Sequence, residues 1–399
     1  MEISGFVAPG FEPVRAQFER NFTQHAEVGA SVCVYQGDTC VVDLWGGIAD
    51  PTAATPWQNH TLINTFSVTK GLVALAVLQL EDQGLLDLDA PITKVWPEFG
   101  RAGKAGITFR QILNHRSGLA ALDQPLSLED CITWRGVDEA IVAQSPLWEP
   151  GTDQGYHGVS WGFLVRSIVE RATNTRIDVV VNDIAASLGA DVHLGVPDDK
   201  LSDCATLIYR GPLRAVANVM KRVTEGGLNG PFFRNVVFRP KGDAARAFSN
   251  PASLGARGFG NYNLNAVRQA VLPWTNIHAS ARGVARMYAP LASDGTAFGV
   301  RVVSPEAALK PRCRQSWSER DRIMRKSMGF AQGFLKEEAG VFTPHDAFFG
   351  HPGTGGCLGF ADPEMGISFG YVMNRMRSHV RSPTAMALSH SVYDALAKQ

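Results

Sequence analysis

Neither sign of charge dominates this 399-residue chain: lysine plus arginine number 38, aspartate plus glutamate 38, and the formal net charge is zero. That balance lacks the electrostatic footprint of a nucleic-acid binder or an anionic-membrane binder. Long apolar runs are also missing. The longest, Gly71 to Leu80, falls far short of the ~18 residues a membrane span needs. The opening stretch MEISGFVAPGFEPVRAQFER has no basic segment followed by an apolar one. No secretory signal is therefore expected, and the expected location is cytoplasmic. Cysteines stand at 33, 40, 131, 204, 313 and 357, with no CxxC pair among them. The expectation is six reduced thiols and no metal site. Internal repeats and low-complexity stretches are absent as well.

What is present is apolar content. Hydrophobic residues make up 45% and charged residues 19%, enough for a substantial core. The length implies one large domain or two intimately joined ones. A neutral or weakly charged small molecule suits the charge balance best.

Residues 11–27 read as a helix. Ala30 to Tyr35 and Thr39 to Trp45 read as strands, and Gln36-Gly37-Asp38 between them makes a hairpin. Ser67 to Gln83 is the clearest helix. Val73 to Leu78 make it apolar nearly all round, which marks it as buried. Further helical patterns run over 108–114, 137–144, 161–172, 177–188 and 280–292. Strands are predicted at Gly329 to Leu335, Ala347 to Gly350, Gly359 to Ala361 and Gly366 to Asn374, before a closing helix from about Pro383 to Lys398. Strands at both ends with helices between predict an antiparallel α/β sheet built from 1–66 and 280–399, beside an all-helical domain, 67–279. Within the latter, 218–273 is rich in Gly, Arg, Asn and Phe. It reads as a lid-like excursion over the surface, with Arg210, Arg214, Arg222, Arg234, Arg239, Arg246 and Arg257 as a solvated face.

The candidate chemistry begins at Ser67-Val68-Thr69-Lys70, a Ser-x-x-Lys. Residues three apart share a helix face. At a first helical turn the macrodipole favours a developing alkoxide on Ser67. A desolvated Lys70 can lower its pKa and accept the serine proton. The tetrapeptide alone is weak, since it occurs by chance in most chains of this length. Context strengthens it: a loop precedes it and the most buried helix follows. Tyr156 follows the loop Gly151 to Gly155, where a tyrosine can move a proton to or from a leaving group. Phe349 to Gly356, FGHPGTGG, precedes a strand. Its glycines allow close backbone approach, so Thr354 N–H and Ser67 N–H are candidate oxyanion donors. His351, Gly353, Trp274 and Asn276 are candidate substrate-binding positions.

Ser67 to Lys70, Tyr156 and His351-Pro352-Gly353, taken in order, resemble the motifs of the penicillin-binding-protein and class C β-lactamase superfamily. Asn114 to Leu119 resembles its His-x-Ser-Gly-Leu segment. Within that group the chain is most similar to family VIII carboxylesterases. The resemblance covers residues from about 10 to the last helix. It implies a β-lactamase-like fold, an active site between the sheet and the helical part, and ester hydrolysis through an acyl-enzyme on Ser67, with no cofactor. Two departures matter. The superfamily's Tyr-x-Asn is Tyr156-His157-Gly158 here, and its Lys-Thr-Gly is His351-Pro352-Gly353. The missing Asn and Lys would hold a β-lactam's amide and carboxylate, so short-chain acyl esters are favoured as substrates.

Rival readings remain at this point. Gly158-Val159-Ser160-Trp161-Gly162 matches the nucleophile-elbow pattern of α/β-hydrolases, but that elbow needs a strand before its serine. The same Ser/Lys/Tyr machinery would serve an acyltransferase, amidase, D-peptidase or β-lactamase. A non-catalytic sensor would keep the fold without the chemistry. Oligomeric state is not legible.

Overall fold

The computed structural model describes residues 2–209, 230–255, 258–336, 341–377 and 381–398. One antiparallel sheet organises the molecule. Its strands are β1 (Ile3–Val7), β2 (Gly29–Gln36), β3 (Thr39–Asp50), β4 (Ser316–Ser318), β5 (Met328–Ala331), β6 (Phe334–Lys336), β7 (Phe349–Pro352), β8 (Leu358–Asp362) and β9 (Ile367–Met373). They lie in the order β1-β3-β2-β9-β8-β7-β6-β5-β4, with Thr55–Pro56 added on β3. The two chain ends meet at the centre, where β9 pairs with β2 from Ile367↔Gln36 to Met373↔Ala30. The expected hairpin is β2–β3, turning at Gly37 with φ +56. The stretch expected as one strand from Gly329 to Leu335 is instead two. Gln332 and Gly333, at φ +53 and +88, turn the chain so that β5 pairs back on β6.

The helices that matter are α1 (Glu12–His25), α2 (Val68–Asp82), α3 (Ser160–Thr173), α4 (Ile177–Ser187), α5 (Ala281–Tyr288) and α6 (Pro383–Leu396). Strand alternation shows how they sandwich the sheet. Gly370 in β9 lies against the backbone of α5. Its neighbour Tyr371 points the other way, to Glu27 after α1 and Thr384 in α6. Successive side chains on a strand take opposite faces, so α5 covers one face and the α1–α6 pair the other. α2 joins α5 on the inner face. It is buried from Val68 through Leu78, packs on β6, β7 and β8, and meets α4 on its other side. A helix apolar nearly all round over its first three turns suits such a double-sided position.

The 218–273 segment is not one surface excursion. Residues 218–229 and 256–257 lie outside the described residues, as do Arg210, Arg214, Arg222 and Arg257. Arg234 and Arg239 are exposed, and Arg246 pairs with Asp123 and Asp243. The later part is core: Leu254, Tyr262, Val267 and Leu272 are buried. Its aromatics explain this, since Tyr262 and Phe259 pack edge-on against Phe66 with ring centroids 5.0 and 6.0 Å away.

Candidate active site

Ser67 is the N-cap of α2 and is half-buried. Its hydroxyl makes no capping hydrogen bond, unlike most serines in this position. The helix start is satisfied instead by Thr65 O, which accepts from Val68 N, and Phe66 O, which accepts from Thr69 N. Ser67 Oγ is thus left at the positive end of the helix. The preceding turn is strained, with Phe66 at φ +48. A bulky residue in that region costs on the order of 1–3 kcal/mol. Asn64 Oδ1 accepts Phe66 N–H at 2.8 Å, and the aromatic contacts to Phe259 and Tyr262 hold the ring.

Lys70 is 0% exposed. Its Nζ donates to Gly158 O at 2.9 Å and Trp274 O at 3.1 Å. Among the described residues no carboxylate pairs with it. Burial alone pulls its pKa from 10.5 down to about 7. A neutral amine has two N–H donors, which the two carbonyls accept, and one lone pair, which remains. Its Nζ lies 5.1 Å from the centroid of the Tyr156 ring and 6.0 Å from that of Trp161.

Tyr156 is buried, and burial pushes its phenol well above the usual tyrosine range, partly offset by the neighbouring Ser67 hydroxyl. Its hydroxyl is 3.3 Å from His351 Nε2. His351 Nδ1 donates to Pro352 O at 2.8 Å, because a carbonyl only accepts. In the neutral ring Nε2 therefore accepts from Tyr156. His351 is on β7, beside α2, and β7 runs into the turn of Thr354. A Cβ on Gly353 would stand 2.3 Å from Thr65 O, so only glycine lets this turn approach the Ser67 turn. Among the described residues neither the Ser67 N–H nor the Thr354 N–H donates to a protein acceptor. Ser67, Lys70, Tyr156, His351, Gly353 and Thr354, far apart in sequence, are thus brought together.

The remaining predicted residues serve differently. Trp274 is buried with its ring edge-on to Phe163 at 4.7 Å, and its carbonyl is what reaches Lys70. Asn276 is buried and spends its amide on its own loop: Oδ1 accepts from Leu272 N, and Nδ2 donates to Val267 O and Ala270 O. Ser160 opens α3 with a loop before it, not a strand, and its hydroxyl donates to Leu119 O at 2.6 Å. That geometry is not a nucleophile elbow.

Sequence reasoning missed the wall beside Tyr156. Phe248 stacks on its ring at 6.1 Å on one side, and Phe330 at 6.2 Å. A Cβ on Gly158 would stand 2.7 Å from both Ala247 O and the Phe248 ring. The place where the superfamily's asparagine side chain would project is therefore filled by residues 247–248. No local pattern pairs Gly158 with a residue 90 positions later.

This fold with a serine, lysine and tyrosine gathered at the buried helix defines the penicillin-binding-protein-like serine hydrolases. The chain belongs to the Beta-lactamase family, whose model matches residues 15–392. It is 29% identical over 387 residues to the esterase/beta-lactamase LipL of Mycobacterium tuberculosis, covering 94% of this chain and 84% of that protein. Among solved structures it is similar to a penicillin-binding protein homologue from Caulobacter crescentus, with a TM-score of 0.85 and 29% identity over 99% of this chain and 100% of that one. A family VIII carboxylesterase structure matches with a TM-score of 0.83 and 30% identity, again over 99% and 100%. The chain is a serine ester hydrolase of this superfamily, of the family VIII carboxylesterase type.

Proposed function

We propose that this protein hydrolyses short-chain acyl esters through an acyl-enzyme on Ser67. The observation that carries the reading is Lys70: fully buried, bonded among the described residues to two carbonyls, with its pKa lowered by burial to about 7. At neutral pH a large share of it is a free amine one helical turn from a serine whose hydroxyl caps nothing. Lys70 takes the Ser67 proton as Oγ attacks the ester carbonyl. The N–H groups of Ser67 and Thr354 receive the oxyanion. Tyr156, kept as a neutral phenol by burial, passes a proton to the leaving alcohol. Water, activated by the same pair, then frees Ser67. His351 holds the Tyr156 hydroxyl, while Trp274 and Asn276 shape the loop whose carbonyl orients Lys70. The substrate is a small uncharged ester. No cofactor enters this scheme, and a cytoplasmic location fits six free cysteines.

The chain divides into a sheet domain, 1–66 with 280–399, and a second domain, 67–279. The sheet draws its strands from both ends of the chain, which supports that division. A second reading, β-lactam turnover as a side activity, is favoured by the likeness to a protein named esterase/beta-lactamase. Against its being the main activity stand His351 in place of lysine and the filled space beside Gly158. A p-nitrophenyl acyl ester series run beside a chromogenic β-lactam tests the ranking. Turnover of the esters by wild type and none by Ser67→Ala is expected; faster turnover of the lactam would reverse it.

A further inference from the structure

We propose that His115 and Asp321 are positioning residues that fix Tyr156 by accepting three consecutive backbone N–H groups, those of residues 155, 156 and 157. The inference rests on Tyr156 acting in hydrolysis. Gly155 N donates to His115 O at 3.0 Å, Tyr156 N to Asp321 Oδ1 at 3.1 Å, and His157 N to His115 Nδ1 at 3.0 Å. The segment they hold has no strand or helix of its own from Thr152 to His157. Its N–H groups are therefore satisfied from outside or not at all.

Both residues are fully buried. His115 lies beside the tyrosine, ring centroids 4.8 Å apart. Because Nδ1 accepts, the ring proton is on Nε2, and Nε2 has no partner among the described residues. A buried N–H left unpaired is costly. An apolar side chain would fill the space without that cost, so what the ring supplies is its Nδ1 acceptor. Burial and nearby His157, Lys70 and His351 hold His115 well below the usual histidine range, so the acceptor persists at neutral pH. Its backbone is at φ +60, which turns the carbonyl and the ring toward the same segment. Ser117 completes the arrangement from the same His-x-Ser stretch. It donates to His157 Nε2 at 2.7 Å, while His157 Nδ1 donates to Gly155 O at 2.6 Å. Asp321 Oδ1 also accepts Ile323 N and Met324 N, tying the tyrosine to the loop before β5.

The test is a mutant cycle on p-nitrophenyl ester hydrolysis, with rates normalised to the fraction of Ser67 that a fluorophosphonate labels. His115→Gln moves the amide beyond the Nδ1 position. His115→Asn keeps an acceptor there and tolerates the positive φ. Asp321→Ala and Asp321→Asn make the matching pair. A misplacement of about 1 Å can cost about 10²-fold. His115→Gln and Asp321→Ala should lower kcat by about that factor with KM little changed, and His115→Asn and Asp321→Asn should recover most of it. In a Tyr156→Phe background His115→Gln should add little further loss. Equal losses in both backgrounds, or His115→Asn as poor as His115→Gln, would overturn the positioning role alone. Wild-type turnover by Tyr156→Phe would overturn the reading of Tyr156 and this role with it.

Discussion

At the residue scale the chemistry turns on one lysine. Lys70 differs from a surface lysine only in its surroundings: two carbonyls, no water-facing surface and, among the described residues, no carboxylate. Burial penalises the ammonium and not the amine, so the folded pKa lies below the ordinary one. Below about 7 Lys70 is protonated and cannot accept from Ser67; above it the amine is available. The acid limb of kcat/KM should therefore fall near pH 7, rising toward alkaline pH. A profile with no limb near neutrality would remove Lys70 as the base. Lys70→Arg should be inactive at every accessible pH, because a guanidinium keeps its proton. Tyr156→Phe should lose about 10²–10⁴ in kcat, the range for a positioned proton donor.

At the element scale the site depends on how closely α2 approaches its neighbours. Gly71 lies against the Tyr288 hydroxyl of α5, and an added Cβ would stand 2.0 Å from that oxygen. Gly71→Ala should therefore destabilise the protein by about 1–3 kcal/mol, as overpacking does, read by denaturant unfolding. The Tyr288 hydroxyl has no partner among the described residues. Tyr288→Phe should be nearly neutral alone and should relieve much of the Gly71→Ala penalty. Equal destabilisation with and without the hydroxyl would refute that packing. The 247–248 wall gives a parallel expectation. Gly158→Asn restores the superfamily's residue but meets Ala247 O and Phe248 at 2.7 Å. Ester turnover should fall without a gain in β-lactam turnover, and a gain would show that the wall yields.

At the scale of the whole molecule, what was legible in the sequence is what periodicity and spacing encode. The apolar stretch after Ser67, the β2–β3 hairpin and the closing helix all carry their own signal. The ordered Ser-x-x-Lys, Tyr and His-Pro-Gly segments pointed to one site because family order stands in for distance. Short or edge elements were not legible. β1 is a half-exposed edge strand, and Ile63–Asn64, Ile277–Ala279 and Val192–Leu194 form a small sheet of strands two or three residues long, too short for a pattern. The contact of His115 with the Tyr156 segment was also hidden. Nothing in Asn114 to Leu119 says that its histidine accepts from a residue 42 positions away. Asn276 shows the converse: a polar residue near the site spends its amide within its own loop, which no sequence pattern marks.

The central claim is that Ser67 carries the acyl group. Labelling with a fluorophosphonate, digestion with trypsin and mass mapping test it most directly. No lysine or arginine separates Asn21 from Lys70, or Gly136 from Arg166, so the two candidate serines fall in different peptides. The adduct is expected on Ser67 in Asn21–Lys70, formed faster above pH 7 and absent in Ser67→Ala. An adduct on Ser160 in Gly136–Arg166, with Ser67→Ala still labelled, would contradict it.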